Sequence, residues 1–568
     1  MMTARLKIVL LLVNWAILLL SITTPGMADQ TSSKPFQETM TPMGHCISGE
    51  ELFKHSVTVS PDSRHLAYVS RIGPHFRVWH DGTAETSYPG VTRQSPFFSP
   101  RDNHLAFIAQ KDGQMFAVVE NKVQDKYAQV GSFTFSPDGS SFAYRAENKD
   151  GEQFVVMDGK KGPTFPVGVT HKLGLIFSPD SNHLAYVGIN KNGSHILVKD
   201  HKKQDSFNEI TNIKFSPDSR HLAAVCKKDG KWMVVKDGQK GKRYQKVNNL
   251  VFSKDSEHIA YTAQVDKELI VVKDDQEFDA GAAALNPAFS PDGSRFAYLA
   301  MDDERKTRYV IDGKKGMVLG KPGRLIFSAD SERVAYGAWI GGDWYIICDE
   351  QKGPAFESVL FFSFSPYSSE LVYGGKKEDG RLCVVTNNEA GEINVEKSYQ
   401  SIGIPVFSPD KKTLAYVATT DKDKMVMVVN GEEMTPYPAI GIPGGKNKAG
   451  NLTFTSQKPF FSPDGERMAY PVFNQAKEAF MVVDGQAHPT FEAVGRPTFS
   501  PDGTHIAYTA YQDGQSMVVI NGQPSENRFD GIPRDATLRF DADNHCYLLV
   551  VQETEPGPSF FRLEMEIN

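Results

Sequence analysis

The chain has 568 residues, of which 40% are apolar and 23% are charged, as is usual for a soluble globular protein. This length exceeds what one hydrophobic core commonly supports, so more than one domain is expected. The net charge of −7 argues against the basic groove that nucleic-acid binding needs, and we expect no nucleic-acid partner.

The first 28 residues have the pattern of a secretory signal peptide. Arg5 and Lys7 form a basic start, residues 8–22 are mostly apolar, and small residues allow cleavage after Ala28. The apolar stretch is short for a membrane span, and no later stretch is both long enough and apolar enough. We therefore expect a periplasmic or secreted protein with no transmembrane span in the mature chain.

One phrase then recurs: Phe-Ser-Pro-Asp-Gly/Ser, two or three residues, and an apolar run such as Leu-Ala-Tyr-Val. Twelve copies are marked by their serines: Ser60, Ser99, Ser136, Ser178, Ser216, Ser253, Ser290, Ser328, Ser365, Ser408, Ser462 and Ser500. Neighbouring serines are 37–43 residues apart, except for 54 residues before Ser462, and an eroded thirteenth copy lies at 540–543. A period near 40 residues with short strands predicts a β-propeller.

Each repeat reads as four strands. In residues 172–200, strand A covers 173–177, Ser-Pro-Asp-Ser forms the first turn, strand B covers 183–187, and strand C begins at 196. Asp-Gly or Asn-Gly after strand C predicts a type I′ hairpin with positive φ, which leads into a short strand D. The A–B and C–D turns therefore share one end of the blade.

The phrase resembles the TolB-like, WD-like propeller repeat of exported bacterial proteins, from about Cys46 to the C-terminus. The sequence departs from the phrase in a few copies, with Arg101 and Tyr367 at the Asp position and Lys254 and Ala329 at the Pro position. The resemblance implies an exported scaffold whose partner is another envelope or extracellular protein.

Thirteen blades exceed the usual number for one ring, about four to eight. We therefore predict an all-β chain with two tandem β-propellers of six and seven four-stranded blades, residues 46–285 and 286–568. The connection 274–286 lacks the usual wording and marks the boundary, although seven plus six, breaking near Gly320, stays open. The segment near 47–53 is predicted to donate strand D of blade 13.

Two recurring residue types are interpreted as structural. The turn aspartates are expected to accept backbone N–H bonds in their own turns: Asp62, Asp138, Asp180, Asp218, Asp292, Asp410, Asp464 and Asp502. Six histidines occupy one slot just before strand B: His65, His104, His183, His221, His258 and His505. Equivalent slots in different blades lie far apart, so we expect no metal site and no cofactor.

The five cysteines do not form a disulfide framework. Cys226, Cys348 and Cys383 lie in apolar strands and are interpreted as buried hydrophobic residues. Cys46 precedes the first repeat and Cys546 lies in the last. Closure of a ring would bring the two ends of the repeat array together, so these two cysteines are candidates for a disulfide.

The sequence contains no Gly-x-Ser-x-Gly elbow, and no catalytic constellation is found. The leading hypothesis is a non-catalytic exported scaffold that binds a protein or other ligand through its loop face. Candidate ligand residues are Trp339 and Trp344 in a B–C hairpin and Lys446 and Lys448 in an insertion between Met434 and Ser456. This insertion is assigned to a D–A connection.

A polysaccharide-acting enzyme is the alternative. The repeat also resembles that of oligogalacturonate lyases, whose propellers hold a metal with histidines near the channel. His171 and His201 lie outside the recurrent slot and are the residues that this alternative has in its favour.

Overall fold

The computed structural model describes residues 36–45, 47, 49–279, 281–446 and 452–567. The predicted signal peptide lies outside these residues. The described chain forms thirteen blades, each an antiparallel sheet whose strands follow the order A–B–C–D. Its helical content is a single 3₁₀ turn, Lys54–Ser56. No helix of the described residues has the length and apolarity that a bilayer span requires.

Strand A is continuous in six blades and interrupted in six others. The continuous A strands, in blades 3 and 5–9, are Gln129–Phe135, Glu209–Phe215, Lys246–Phe252, Ala283–Phe289, Lys321–Phe327 and Ser358–Phe364. The interrupted ones, in blades 1, 2, 4 and 10–12, are Glu51–Leu52 with Thr58–Val59, Gly90–Val91 with Phe97–Phe98, Gly168–Val169 with Ile176–Phe177, Ser401–Ile402 with Val406–Phe407, Ala439–Ile440 with Phe460–Phe461, and Ala493–Val494 with Thr498–Phe499. Blade 13 keeps only Arg539–Phe540.

The two central strands carry the apolar runs of the repeat, so they are buried on both faces. The B strands are Leu66–Ile72, Leu105–Lys111, Phe142–Glu147, Leu184–Ile189, Leu222–Lys228, Ile259–Val265, Phe296–Met301, Val334–Ile340, Leu371–Lys376, Leu414–Thr419, Met468–Phe473, Ile506–Gln512 and Cys546–Gln552. The C strands are His75–His80, Gln114–Val119, Gln153–Met157, His195–Lys199, Lys231–Lys236, Glu268–Lys273, Thr307–Ile311, Asp343–Cys348, Leu382–Asn387, Met425–Val429, Ala479–Val483, Gln515–Ile520 and Ser559–Ile567.

Strand D forms the outer edge and is short in most blades. In blades 1–12 it is Thr83–Tyr88, Lys122–Val123, Lys160–Lys161, Lys202–Phe207, Gln239–Lys240, Gln276–Asp279, Lys314–Lys315, Gln351–Lys352, Ile393–Tyr399, Glu432–Glu433, Gln486–Ala487 and Gln523–Pro524. The predicted type I′ turns before these strands are confirmed. For example, Asp158 and Gly159 have φ angles of 48° and 75°.

Strand D of blade 13 comes from the other end of the chain. Phe36–His45 pairs antiparallel with Ser559–Ile567, so an N-terminal strand completes the last blade. The prediction of an N-terminal donor is confirmed, but the predicted segment 47–53 was wrong. Glu51–Leu52 instead begins strand A of blade 1. The donated strand was missed because its sequence contains no part of the repeat motif.

Thirteen buried apolar clusters hold the blades together, one between each pair of consecutive blades. The cluster between blades 13 and 1 joins Met43 of the donated strand and Tyr68 to Leu549. The blades therefore close as one series.

The predicted division into rings of six and seven blades is not shown. Separate rings would pack blade 6 on blade 1 and blade 13 on blade 7. In the described residues blade 6 instead packs on blade 7, where Val271 and Tyr298 share a buried cluster across the predicted boundary. The apolar surfaces of blades 6 and 7 cover each other, which leaves no exposed face to close a smaller ring.

A glycine after strand D leaves room for the tyrosine of the next blade. A Cβ on Gly353 would lie 2.4 Å from the Tyr373 hydroxyl oxygen and 3.1 Å from the Ile346 carbonyl oxygen. Gly162 approaches the Tyr186 hydroxyl in the same way. The recurring Lys-Gly dipeptide thus reflects packing between neighbouring blades.

Gly353→Ala is expected to destabilise the fold by about 1–3 kcal/mol, because the new methyl group overpacks the interface. Y373F removes the closest atom and should restore part of the loss in the double variant. Urea unfolding of wild type, Gly353→Ala and the double variant measures the free energy of unfolding of each. Gly131→Ala is the matched control, since a Cβ there meets no atom within 4 Å. An equal loss in the two single variants would contradict the packing explanation.

Candidate functional site

The A–B turns use a serine and an aspartate as a unit. In blade 4 the Ser178 hydroxyl donates to Asp180 Oδ1 at 2.5 Å, and the Asn182 backbone N–H donates to the same oxygen at 3.1 Å. These bonds favour the ionised carboxyl and hold the pKa of Asp180 well below its usual range. The Asp180 N–H donates to the Ser219 hydroxyl of the next blade at 2.9 Å. This bond ties the turn of blade 4 to the turn of blade 5.

The same hydroxyl-to-carboxylate bond is present at all eight predicted aspartates: Asp62, Asp138, Asp180, Asp218, Asp292, Asp410, Asp464 and Asp502. Asp255 and Asp330, which the sequence interpretation omitted, make it as well. Each aspartate lies in its own turn, so the structure does not bring them together as one site.

The histidines just before strand B pair with aspartates of the C–D turns. His183 Nδ1 lies 2.8 Å from Asp200 Oδ2, while Asp200 Oδ1 accepts the Leu184 N–H at 3.0 Å. His65, His221 and His258 make the same pair with their turn aspartates at 2.6 Å. Arginine replaces histidine in three blades, as Arg295, Arg333 and Arg467. The sequence reasoning missed this pairing, although a fixed separation of 16 or 17 residues signals it.

The two tryptophans lie opposite each other across the B–C hairpin of blade 8. Trp344 packs against the cluster between blades 8 and 9, and the Lys321 ammonium lies 5.2 Å from the Trp339 ring centre. Both side chains are half-buried. Lys446 ends a strand of the insertion, and Lys448 lies outside the described residues.

Cys546 is a fully buried free thiol whose pKa is raised by burial, and Cys46 lies outside the described residues. His45, the described neighbour of Cys46, pairs with Ser559, whereas Cys546 pairs with Met565 near the far end of the same strand. Six strand positions correspond to about 20 Å, more than a disulfide spans. The described residues give this bridge no support.

The innermost strands are irregular in twelve of the described blades. Six have a β-bulge and six are interrupted, while blade 13 keeps only a short strand. Among the described strands, strand A pairs with strand B alone, so its other edge faces the ring centre. The Cα atoms of the A strands of blades 6 and 7 lie within 8 Å. At such a spacing thirteen strands surround an opening with roughly twice the circumference of that in a seven-bladed ring.

Large aliphatic side chains are exposed at this level in blades 9, 10 and 13. Leu360 in blade 9 is 50% exposed, Ile404 in blade 10 is 70% exposed, and Ile532 in blade 13 is 40% exposed. We call these residues, with the insertion hairpin of blade 11 described next, the inner arc. Exposed apolar groups of this size mark candidate binding surfaces when they gather on one element or edge.

The insertion lies within strand A of blade 11 rather than in the predicted D–A connection. Two strands, Ile442–Lys446 and Leu452–Ser456, form an insertion hairpin between Ala439–Ile440 and Phe460–Phe461. Its base touches blade 10, since a Cβ on Gly403 would lie 3.2 Å from the Gln457 carbonyl oxygen. The hairpin therefore stands beside Ile404. Its place was missed because strand A is interrupted there.

The bulges of blades 5–8 place polar side chains beside apolar ones at the opening. Blades 5–8 line a cavity of about 500 Å³ with Asn212, Asn249, Asn286 and Arg324 at the bulges. Asn249 and Asn286 have φ angles of 54° and 51°, a conformation that asparagine tolerates better than most residues. Leu250 and Leu325 also line this cavity, and Leu285 is 44% exposed, so the surface here is mixed rather than polar.

His171 and His201 are not brought together. His171 is exposed in the interruption of strand A, whereas His201 lies in the C–D turn at the other end of blade 4, where its Nδ1 is 3.3 Å from the Tyr186 hydroxyl. The polysaccharide-acting alternative stays a prediction, which assays on a polysaccharide panel would test.

Together, the blades and their closure define a β-propeller protein of thirteen four-stranded blades. No family model and no curated protein matches the chain. The chain is similar to a solved structure described as the crystal structure of the eukaryotic initiation factor, with 14% identity, a TM-score of 0.31, and coverage of 59% of this chain and 95% of that one. The dihydro-heme d1 dehydrogenase NirN in complex with DHE gives 14% identity, a TM-score of 0.26 and coverage of 52% and 72%. Likenesses this weak carry no functional argument.

Asp180→Ala is expected to lower the free energy of unfolding by about 0.5–2 kcal/mol, the range for side chains that cap backbone N–H groups. Asp292→Ala and Asp502→Ala should destabilise in the same sense, and the losses should be roughly additive because the blades are far apart. Thermal and urea unfolding measure the change. A substitution that abolished ligand binding with unchanged stability would contradict the structural role.

The effect of Asp180→Ala should also depend on pH. A carboxyl whose pKa is lowered in the folded state contributes stability above its unfolded pKa, about 3.9, and loses it as the pH falls further. The difference between wild type and variant should therefore be full at pH 7 and shrink below about pH 4. A constant difference down to pH 3 would mean that the charge of Asp180 is not responsible.

Proposed function

We propose that the chain is an exported, TolB-like scaffold that catalyses no reaction and binds another envelope or extracellular protein at the inner arc. The observation that supports this most directly is the exposure of Leu360 and Ile404 on the innermost strands of adjacent blades. Apolar surface of this kind is unfavourable in water and becomes favourable when a partner covers it.

The backbone supports the same conclusion. Strand A is an edge strand, and in the described residues no other strand pairs with its inner side. An extended partner segment can add main-chain hydrogen bonds to such an edge while its side chains contact apolar residues. The insertion hairpin borders the edge and would form one wall of this site. We therefore propose a partner that presents an extended, apolar segment.

The insertion hairpin can be removed cleanly. Blade 12 connects the two parts of strand A with Gly495-Arg496-Pro497, and blade 10 uses Gly403-Ile404-Pro405. Deletion of residues 442–457 leaves Gly441-Lys458-Pro459, which has the same pattern and restores a repeat of 38 residues. The deletion variant is therefore expected to fold, and it isolates the contribution of the hairpin.

The binding prediction concerns I404D and L360D. A photo-crosslinking residue at position 404 should capture an envelope protein, and purified partner should then bind I404D and L360D at least about 10-fold more weakly, because a carboxylate replaces apolar contact. The 442–457 deletion should also weaken binding. Titration calorimetry or surface plasmon resonance gives the affinities.

V123D is the matched control for these variants. Val123 is 54% exposed, but it lies on an outer strand, away from the inner arc. Binding of the captured partner should be unchanged in V123D. Equal affinity of wild type, I404D, L360D and the deletion variant would refute the inner arc as the binding site.

Export is tested independently of binding. The basic, apolar and small-residue pattern up to Ala28 predicts that the mature chain begins at Asp29. N-terminal sequencing of the protein recovered from the periplasm or medium should therefore start near Asp29. Recovery of the chain only from the cytoplasm with an intact Met1 would contradict export.

A further inference from the structure

Three potential metal ligands meet in blade 1. His65 Nδ1 lies 2.6 Å from Asp81 Oδ2, and His80 Nε2 lies 3.6 Å from the same oxygen. All three ligand atoms lie within 4.8 Å of one another. His65 directly precedes strand B, while His80 ends strand C and Asp81 opens the C–D turn, so regular backbone elements position the group.

The third ligand distinguishes blade 1 from the related blades. Blades 4, 5 and 6 have the same histidine–aspartate pair, but lysine takes the position of His80, as Lys199, Lys236 and Lys273. Those ammonium groups lie 5.5–6.0 Å from the ring of a phenylalanine in the next blade. The His80 ring is 5.7 Å from the equivalent Phe98. The pair belongs to the repeat, whereas His80 belongs to blade 1.

The Nε2 nitrogen of His80 has no hydrogen-bond partner among the described residues. His80 Nε2 is buried and accepts or donates no hydrogen bond in the described residues. An unsatisfied buried ring nitrogen is unfavourable, and this nitrogen lies 3.6 Å from Asp81 Oδ2. A bound cation would satisfy this nitrogen.

We propose that His65, His80 and Asp81 bind a divalent transition metal, with Zn²⁺ as the favoured ion. Two imidazoles and one carboxylate match its ligand preference, at bond lengths of about 2.0–2.2 Å. In a tetrahedral site the ligand atoms would lie about 3.3 Å apart, so no separation between them needs to change by more than about 1.5 Å. The side chains are 36%, 27% and 28% exposed, which leaves a fourth position for water.

The surroundings hold the ligands in place. Asp81 Oδ1 accepts the Leu66 N–H at 2.8 Å, which leaves Oδ2 for the metal. Asp62 adds negative charge near His65, and Arg562 adds positive charge. The neighbouring Gly82 packs against the donated strand, where the backbone of Met43 and Gly44 lies 3.4–3.5 Å from the position of a Cβ on Gly82. Metal binding should therefore stabilise the blade next to the closure.

The experiment uses the full mature chain without an affinity tag, stripped of metal by a chelator. Titration calorimetry with Zn²⁺ should show one site, and metal analysis after dialysis should give about one zinc per chain. Zn²⁺ should also raise the melting temperature of wild type, since it binds the folded state. H80K introduces the residue that blades 4–6 already have, so it should fold, yet its zinc affinity should fall at least about 100-fold.

K199H provides the converse test. It places a histidine beside the His183–Asp200 pair in blade 4, in the register that His80 has in blade 1. This variant should bind a second zinc ion. The proposal is overturned if folded wild type binds no zinc at 100-fold excess over protein, or if H80K, folded by circular dichroism, binds zinc as tightly as wild type. Either result leaves the binding role of the inner arc untouched.

Discussion

The pairing of Phe36–His45 with Ser559–Ile567 is the contact on which the complete ring depends. Each blade exposes two apolar faces and buries them only between two neighbours. Twelve interfaces follow from the order of the blades along the chain, but the thirteenth requires the two ends to meet. Met43, in the donated strand, lies in that last cluster. Closure therefore buries the faces of blades 1 and 13 that a linear array would leave in water.

Within a blade, the sequence predicted most of what the structure contains. The Ser-Pro-Asp and Asp-Gly turns and the order of the four strands were confirmed, because such turns are decided by a few adjacent residues. Proline and glycine restrict or permit backbone angles directly, and a serine two positions before an aspartate reaches its carboxylate. These interactions are local and recur with the repeat, so they can be predicted from the sequence.

What depends on distant contacts was harder to predict. The number of rings follows from the angle at which each blade packs on the next. The residues of the connection 274–286 do not indicate this packing angle. The donated strand has no repeat wording. At the candidate site, Trp344 is partly covered by the core next to blade 9, whereas Leu360 and Ile404 are exposed only because strand A bulges or breaks at their level. Aliphatic residues in a strand are otherwise interpreted as buried.

The donated strand also has a consequence for how the protein is made. Phe36–His45 leaves the ribosome before any blade, while its partner Ser559–Ile567 is synthesised more than 500 residues later. Throughout synthesis the early strand has an unpaired edge, and such edges associate readily with other chains. Maturation of the ring must therefore wait until Ser559–Ile567 has been made, and a chain truncated before that strand has no partner for the strand that emerged first.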